Sequence, residues 1–376
     1  MLGCLCCALL LSNTSDLYQL LVHQPWNLEG KLFNIAFHYK LSLQSGINHF
    51  LMIFFFLDIG MELKAASQET GARRSRSHLS LPAVAALGGM LLPALIYWSI
   101  NSQYPGYYVG CAIPCATDIA LALCLFNLLG RYLPPSMRIF LLSIAIFDDL
   151  GAMLLIAIFY TKGFHVLCFL SSILPLILLW FLNRQRITAL WIYAVLGLIL
   201  CSIFQKSGIH PTLGGFLVGL SIPTHHQSGK PCIEPLQRKL HPIVQWIILP
   251  LFAFSNGGIV LQQLNVQDYC HPIVWGISLG LFIGKPLGIT GFSYGLIRFK
   301  GATLPKNSRM KDLAITSIFG GIGFSMSLFM GLLAFEQVAE QSLVKIGILL
   351  GSLACIVVVT LAVLLQSRHQ KRTDHP

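Results

Sequence analysis

Residues 139–155 read Ile-Phe-Leu-Leu-Ser-Ile-Ala-Ile-Phe-Asp-Asp-Leu-Gly-Ala-Met-Leu-Leu, an apolar stretch with two neighbouring carboxylates, Asp148 and Asp149, at its centre. The apolar run extends from Pro135 to Tyr160, which as an α-helix is about 39 Å long at about 1.5 Å per residue. That length crosses a bilayer with some tilt, so both acids are predicted to lie near mid-depth. Because a charge there costs at least about 2.5 kcal/mol, the pair is a candidate functional site. The alternative is a helix interruption capped by an Asp and buried against other helices.

The composition is that of a polytopic membrane protein. The 376 residues are 55% hydrophobic and only 10% charged, with a mean hydropathy of +0.72. Soluble domains carry about a quarter of charged residues, so that class is excluded. The net charge of +11 comes from basic residues dispersed among short loops, which indicates membrane topology and not nucleic-acid binding. The eleven cysteines lie mostly in apolar runs and are expected to be small buried hydrophobes, not disulfides or metal ligands.

The whole chain, residues 1–376, is predicted to form one integral membrane transporter domain of about twelve helices. Residues 1–44 hold a shortened first helix and a hairpin outside the membrane, with Asn34–Leu41 as part of that hairpin. The remaining helices fall within residues 45–366, and residues 367–376 form a tail. The eleven further spans are predicted at 45–64, 79–101, 107–129, 135–160, 164–183, 187–204, 209–222, 242–261, 272–297, 312–335 and 343–366.

Basic residues alternate between loops, as the positive-inside rule requires of cytoplasmic segments. Nineteen of them fall in alternate loops and the tail, and only five fall in the intervening loops: Lys31, Lys40, Lys162, Lys206 and Lys345. The nineteen are Lys64, Arg73, Arg74, Arg76, Arg131, Arg138, Arg184, Arg186, Lys230, Arg238, Lys239, Arg298, Lys300, Lys306, Arg309, Lys311, Arg368, Lys371 and Arg372. The distribution predicts cytoplasmic termini and an even number of spans.

The remaining basic residue, Lys285, stands in the middle of the tenth predicted span. Roughly a dozen residues separate it from either surface, so its side chain cannot reach water. It therefore needs a carboxylate at the same depth. A phosphate-binding loop is excluded because the spacing before Gly284-Lys285 is wrong and proline follows. A purely structural pairing with an Asp stays open.

Two further spans are interrupted near their centres. Span 4 contains Ile113-Pro-Cys-Ala-Thr117-Asp118-Ile-Ala, and span 11 contains Phe319-Gly320-Gly321-Ile-Gly323. Small residues at membrane-helix contacts explain either one alone. Two interrupted helices together with ionisable groups at the same depth are typical of a transporter site at the membrane midplane. Broken helices expose backbone carbonyls and N–H groups, which can bind ions and balance charges.

These segments resemble the NhaA-type sodium/proton antiporters, and the match runs from about Gly46 to Gln366. The motifs that carry the resemblance are residues 116–120 (Ala-Thr-Asp-Ile-Ala), 146–152 (Ile-Phe-Asp-Asp-Leu-Gly-Ala), 206–210 (Lys-Ser-Gly-Ile-His), 249–254 (Leu-Pro-Leu-Phe-Ala-Phe), 284–288 (Gly-Lys-Pro-Leu-Gly) and 321–329 (Gly-Ile-Gly-Phe-Ser-Met-Ser-Leu-Phe). The resemblance implies twelve helices with inverted repeats, helices 3–5 and 10–12, and two broken helices, 4 and 11, that cross at mid-membrane. It also implies a bacterial inner-membrane protein and a homodimer.

The implied function is electrogenic exchange of Na⁺ or Li⁺ for H⁺, driven by the proton gradient without a cofactor. By resemblance, Asp148 and Asp149 carry Na⁺ and H⁺ alternately, Lys285 pairs with Asp148, and Asp118 with Thr117 serves the helix crossing. Sodium prefers oxygen ligands, which carboxylates, Thr117 and the freed carbonyls can supply. Two close carboxylates titrate as a coupled pair, so H⁺ and Na⁺ compete for the same oxygens.

Several positions depart from the family pattern, all in the cytoplasmic region linked to pH control or in helix 2. The departures are His49, Asp58, Ala65, Ala66, Gln237 and Arg238, although His241 matches. They leave pH activation open. The resemblance implies exchange, and an antiporter-derived protein that has lost activity is one alternative.

Two other classes of membrane protein are alternatives to an exchanger. An intramembrane aspartyl protease needs its two acids on separate helices, and no Gly-x-Gly-Asp motif supplies the second one, because Phe324 follows Gly323. A sodium-permeable channel needs a continuous wet pore, in which Lys285 would repel cations.

Overall fold

The computed structural model describes residues 1–15, 17–24, 26–32, 35–73, 77–130, 133–161, 163–226, 229, 231–260, 265–299 and 301–373. Among the basic residues counted above, Arg74, Arg76, Arg131, Lys162, Lys230 and Lys300 lie outside the described residues, as do Asn34 of the predicted hairpin and the last three residues of the tail.

The described chain is helical apart from one antiparallel hairpin, in which Trp26 pairs with Leu41. In chain order the elements are α1 (Leu2–Thr14), α2 (Leu17–His23), β1 (Trp26–Leu32), β2 (Ile35–Leu41), α3 (Leu43–Gly46), α4 (Met52–Arg73), α5 (Ser77–Asn101), α6 (Ile119–Leu129), α7 (Pro135–Phe159), α8 (Val166–Ser171), α9 (Ile173–Arg184), α10 (Leu190–Ser207), α11 (Thr212–Ser221), α12 (Ile233–Ile243), α13 (Leu249–Gly257), α14 (Val266–Tyr269), α15 (Pro272–Leu279), α16 (Lys285–Arg298), α17 (Met310–Gly320), α18 (Phe324–Ala334) and α19 (Val338–Thr373). A 3₁₀ helix, Tyr107–Cys115, precedes α6.

The predicted all-α membrane architecture is confirmed, since in the described residues eight helices are long and apolar enough to cross a bilayer, or nine with the bent pair α17–α18. The axes of that pair differ by 47°. Two apolar helices, Gly3–Thr14 and Thr212–Ser221, are shorter than a full span. The eight long helices, the bent pair, these two shorter helices and the segment formed by α12 and α13 make twelve segments in the described residues. The hairpin of β1 and β2 directly precedes α3 and α4, and its location outside the membrane stays a prediction.

Prolines shape two of the long helices. A π-helical turn, Gly280–Gly284, joins α15 to α16, and another, Val244–Ile248, joins α12 to α13. Each ends two residues before a proline, Pro286 or Pro250. A proline ring clashes with the carbonyl four residues earlier and donates no hydrogen bond, and a wider π turn accommodates that defect. The first of these turns immediately precedes Lys285.

The chain forms two compact units. The first comprises Met1–Glu69 and Tyr160–Leu264. In it α4 packs closely on α11, since a Cβ at Gly60 would overlap Phe216 O and one at Gly219 would overlap Leu57 O. The core of this unit contains Met61, Leu179, Tyr193, Leu200, Phe204, Ile209, Val218, Ile222 and Ile233.

The second unit comprises Thr70–Phe159 and Asn265–Pro376 and contains both interrupted spans and the Asp148–Asp149 pair. Its helices α5 and α16 meet backbone to backbone, because a Cβ on Gly88 would overlap Gly288 O and a Cβ on Gly288 would overlap Gly88 O. Small residues allow such close approach between membrane helices. This contact fixes α16, and therefore Lys285, against α5.

The prediction for the cysteines is partly wrong. All eleven thiols are free, but only Cys115, Cys201, Cys232 and Cys355 are buried. Cys6, Cys7 and Cys124 are exposed although they lie in apolar helices. An apolar run in a membrane protein does not distinguish the lipid-facing side of a helix from its packed side, so composition alone cannot assign burial.

Candidate functional site

The first interruption, in span 4, lies between the 3₁₀ helix Tyr107–Cys115 and α6. Ala116 and Asp118 both have extended backbone, and Asp118 is the N-cap of α6, with Oδ1 accepting the Leu121 N–H at 3.0 Å. Asp is a strong N-cap because its carboxylate satisfies one of the free N–H groups of the first turn. The sequence Pro114-Cys-Ala-Thr-Asp118 thus ends one helix and starts the next within three residues.

The second interruption, in span 11, lies between α17 and α18 and is built from glycines. A Cβ at Gly323 would lie 2.7 Å from Ala116 O, and one at Gly321 would lie 2.6 Å from Leu281 O. Such distances leave no room for a side chain. Gly323 is therefore required because the backbone of the second interruption touches the backbone of the first, and Gly321 because it touches the π-helical turn Gly280–Gly284.

The two interruptions are joined by direct hydrogen bonds. The Asp118 N–H donates to Ile322 O at 2.8 Å, and the Ser327 hydroxyl donates to Ile113 O at 2.8 Å. Asp118 Oδ2 accepts from both the hydroxyl (2.6 Å) and the N–H (3.0 Å) of Ser325, in the first turn of α18. One carboxylate therefore caps the N-termini of α6 and α18, where helix dipoles favour negative charge.

The side chain of Lys285 contacts the other end of the first interruption, at Cys115. Its Nζ is 3.0 Å from Asp148 Oδ2 and donates to Cys115 O, the last carbonyl of the 3₁₀ helix, at 2.6 Å. Both Lys285 and Asp148 are fully buried. The ammonium thus balances a carboxylate and a helix C-terminus, whose carbonyls carry partial negative charge.

Thr117 connects the acid to the second interruption. Its Oγ1 is 2.7 Å from Asp148 Oδ2 and 3.0 Å from Gly320 O, at the end of α17. The other carboxylate oxygen, Asp148 Oδ1, is buried without a hydrogen-bond partner in the described part of the chain. Asp149 follows Asp148 on α7 and is also fully buried. Consecutive helical side chains point about 100° apart, so the two carboxylates face different surroundings.

The structure therefore brings Thr117, Asp148 and Lys285 into one hydrogen-bonded group, with Asp149 next to Asp148 on α7. Asp118, the residue after Thr117, has separate partners and joins the first interruption to the second, whose backbone contains Gly320, Gly321 and Gly323. Around the crossing, three carboxylates and one ammonium are fully buried. Burying that excess of negative charge is costly unless protons or cations neutralise it. The arrangement can thus bind a small cation or protons through oxygen atoms.

Three parts of this group were not predicted: the side chains of Ser325 and Ser327, and the carbonyl of Cys115 that accepts from Lys285. The Gly-rich run of span 11 marked the break, but two serines within an apolar helix carry no signal that distinguishes a helix cap from a packing residue. Every residue has a backbone carbonyl, so the sequence does not indicate which one accepts a hydrogen bond from a side chain.

The departures on helix 2 lie in the first unit, and two of them have partners there. Asp58 is buried, and its Oδ2 lies 2.8 Å from His241 Nδ1, which raises the pKa of His241 above its ordinary value. The ring of His49 lies 5.8 Å from the ring of His210. Ala65 is half-buried, Gln237 is half-buried and Arg238 is exposed, while the side chain of Ala66 lies outside the described part.

Comparison with known proteins gives one consistent result. The model of the family described as Na+/H+ antiporter 1 matches residues 1–364. Relatives named Na(+)/H(+) antiporter NhaA include that of Vibrio cholerae, 43% identical over 84% of this chain and 83% of its own. The relative from Shewanella amazonensis is 42% identical over 93% of this chain and 90% of its own. The relative from Haemophilus influenzae is 41% identical over 92% of this chain and 86% of its own. Among solved structures, the sodium proton antiporter MjNhaP1 from Methanocaldococcus jannaschii matches with a TM-score of 0.51 at 13% identity, over 84% of this chain and 83% of that one. At that identity the likeness concerns the fold alone.

Proposed function

Because this chain belongs to the Na+/H+ antiporter 1 family and is a multi-pass Na⁺/H⁺ antiporter and not an enzyme, we propose that Asp148 and Asp149 carry its ions. In this proposal the two carboxylates hold either Na⁺ or H⁺, and Thr117 supplies a further oxygen ligand. The observation that supports this proposal most directly is the hydrogen-bonded group of Asp148, Lys285 and Thr117, which is fully buried beside Asp149 at the two interrupted helices.

Exchange follows from competition for the same oxygens. A carboxylate that holds a proton is a poor ligand for Na⁺, and a bound Na⁺ disfavours protonation. The site is then always neutralised, either by H⁺ or by Na⁺, which avoids an uncompensated buried charge. If access alternates between the two sides of the membrane, a proton gradient drives Na⁺ the other way without a cofactor. Li⁺, a hard monovalent cation like Na⁺, is expected to be carried as well.

Lys285 and Asp118 have supporting roles in this proposal. Lys285 holds Asp148 in place when the carboxylate is ionised, and it offsets one of the three buried negative charges. Asp118 holds the two helix starts together, so that the carbonyls of the interruptions keep their positions. If two protons replace one Na⁺, each cycle moves one net charge and the exchange is electrogenic.

We further propose a bacterial inner-membrane location with both termini in the cytoplasm, supported by the nineteen basic residues on one set of loops against five on the other. Fusions of a cytoplasmic and a periplasmic reporter to the C-terminus test this orientation. A homodimer within the lipid bilayer is also proposed, from membership of the family, and chemical cross-linking in native membranes tests it.

The ion-carrying role is tested in everted membrane vesicles that report ΔpH through a fluorescent dye. Addition of Na⁺ is expected to dequench the dye with the wild-type protein, and Asp149→Asn and Asp148→Asn are expected to abolish the signal while membrane insertion is kept. Asp268→Asn, at the cap of the short helix α14, is the matched control and should leave exchange intact. Near-normal Na⁺-dependent proton flux in Asp148→Asn or Asp149→Asn would refute the assignment. In de-energised vesicles with an imposed ΔpH, stimulation of flux when a K⁺ ionophore dissipates the potential that exchange itself builds up would support electrogenic exchange.

A further inference from the structure

The Thr117 hydroxyl has two acceptors within hydrogen-bond distance and only one proton. Its Oγ1 lies 2.7 Å from Asp148 Oδ2 and 3.0 Å from Gly320 O, and Thr117 is fully buried. A threonine hydroxyl donates one hydrogen bond and accepts through two lone pairs. The hydroxyl can therefore donate to the carboxylate or to the carbonyl at any moment, but not to both.

Neither acceptor is well satisfied without it. Asp148 Oδ2 also accepts from Lys285 Nζ at 3.0 Å, whereas Asp148 Oδ1 is buried with no hydrogen-bond partner in the described residues. On the other side, Gly320 is the last residue of α17, and the carbonyls of a final helical turn lack intrahelical donors. The two preceding carbonyls, of Ile318 and Phe319, accept from the N–H groups of Gly321 and Ile322. Within the described residues the donor to Gly320 O is the Thr117 hydroxyl.

We propose that the Thr117 hydroxyl alternates between these two acceptors with the occupancy of Asp148. It donates to Asp148 when the carboxylate is ionised and empty, and to Gly320 O when a proton or Na⁺ occupies the carboxylate. The inference rests on the proposed function, in which Asp148 takes part in carrying the ions.

The electrostatics at Asp148 give the alternation its direction. An ionised carboxylate is a stronger acceptor than a peptide carbonyl, because charge-assisted hydrogen bonds are roughly twice as strong as neutral ones. A bound Na⁺ reverses that order, since a cation repels the hydroxyl proton and attracts the lone pairs of Oγ1. Rotation about one side-chain bond then directs the proton to Gly320 O and the lone pairs to the ion. Thr117 can thus bind the ion without leaving its own proton unpaired.

The same rotation changes the hydrogen bonding of the second interruption. The end of α17 receives a donor in the occupied state and loses it in the empty state. A buried carbonyl without a donor is costly, and that cost biases a helix end that is already interrupted. Thr117 is therefore a positioning residue for α17 as well as a ligand for the ion. The charged groups that face it are Asp148, with its neighbour Asp149 on α7, and Lys285 on α16; Asp118 is the next residue in the chain.

The test compares Thr117→Val with Thr117→Ser in the vesicle assay, with two readouts: the apparent KM for Na⁺, and the pH of half-maximal exchange at saturating Na⁺. Valine keeps the shape but has no hydroxyl, whereas serine keeps both acceptor choices. We expect Thr117→Val to raise the KM about tenfold, the effect of losing one charge-assisted hydrogen bond or ligand. It should also move the half-maximal pH upward, because the ionised carboxylate has lost one of its two donors. Thr117→Ser should lie within about twofold of wild type in KM, since the hydroxyl is retained.

Thr316→Val is the matched control, because the Thr316 hydroxyl is equally buried but donates within its own helix, to Asp312 O. It should change neither readout. A raised KM with an unchanged pH of half-maximal exchange would mean a simple ligand and would overturn the alternation, as would a shift in pH with an unchanged KM or no change in either. Should Thr117→Val fail to insert, Thr117→Cys, whose thiol is a weak donor, is measured by the same criteria. Exchange by Asp149→Asn at the wild-type rate would instead refute the proposed function, so the two failures are distinguishable.

Discussion

The Lys285 ammonium lies 3.0 Å from Asp148 Oδ2, and neither side chain has any exposed surface. A buried ion pair gains little stability over apolar residues of the same volume, because both charges lose their hydration. Removal of one partner is different, since it leaves the other charge buried alone. The pair is therefore expected to affect stability strongly when only half of it is changed.

Lys285→Ala is expected to lower the free energy of unfolding by about 3–5 kcal/mol, the usual cost of an uncompensated buried charge. The melting temperature in detergent measures this. Lys306→Ala is the control, because that side chain is exposed in a loop. The second change in Lys285→Ala/Asp148→Asn should restore part of the loss. An unchanged melting temperature for the single variant would show that the pair does not hold the fold.

Asp118→Ala is expected to destabilise the protein more than Asp118→Asn does. Alanine removes the caps of both α6 and α18, at about 0.5–2 kcal/mol for each cap, whereas asparagine keeps an acceptor oxygen. Ser325→Ala should cost about 1 kcal/mol, because it removes one hydrogen bond of the second cap. Denaturation in detergent checks the order, with Ser342→Ala as the reference, because Ser342 is only half-buried and its hydroxyl donates within its own helix, to Val338 O. Equal losses for Asp118→Ala and Asp118→Asn would contradict the double-cap interpretation.

The Asp58–His241 hydrogen bond is expected to make stability depend on pH. Since the pKa of His241 is raised in the folded protein, protonated His241 contributes stability that is present in full below its unfolded pKa of about 6.5 and is lost as the pH rises through the folded pKa. The difference in melting temperature between wild type and His241→Gln should therefore be larger at pH 5.5 than at pH 9. In the Asp58→Asn background that pH dependence should disappear. A difference that grows with pH would reverse the sign and disprove the pairing.

Gly288→Ala is expected to be strongly destabilising, because its Cβ would overlap the backbone carbonyl of Gly88 and force α16 away from α5. Gly295→Ala on the same helix has no atom within 4 Å of the added Cβ and should be neutral or slightly stabilising, since alanine favours the helix. Exchange and melting temperature are measured for both. Equal behaviour of the two variants would mean that the α5–α16 contact tolerates separation.

Much of the architecture was predictable because hydrophobic runs in a membrane protein have a length set by the bilayer. The predicted span 135–160 is α7 within one residue, and the predicted span 272–297 ends within one residue of α16. The helix that holds the predicted span 242–261 begins earlier than the span, at Ile233. Its first turns are amphipathic and carry basic residues, so a hydropathy criterion excludes them. The prediction that residues 1–376 form a single domain stays a prediction.

The residues of the candidate site were predictable from the sequence where placing them in a membrane costs free energy, and were not predictable where it does not. Asp148 and Lys285 are conspicuous because charges are expensive at mid-membrane. Ser325 and the carbonyl of Cys115 are inconspicuous, because hydroxyls and peptide groups occur in every helix. The partner of Asp58 was also not predictable, since Asp58 and His241 are 183 residues apart in the chain.

The bond from the Asp118 N–H to Ile322 O, together with the double cap by the Asp118 side chain, has a consequence for recombination between relatives. A chimera that takes its first half from one parent and its second half from another would inherit the acceptor and the donor from different ancestors. Such hybrids should be less stable when the serine or its equivalent at position 325 does not arrive with an acid at position 118. The two halves of this protein are thus expected to diverge in concert at these two positions, even where the surrounding lipid-facing helices drift freely.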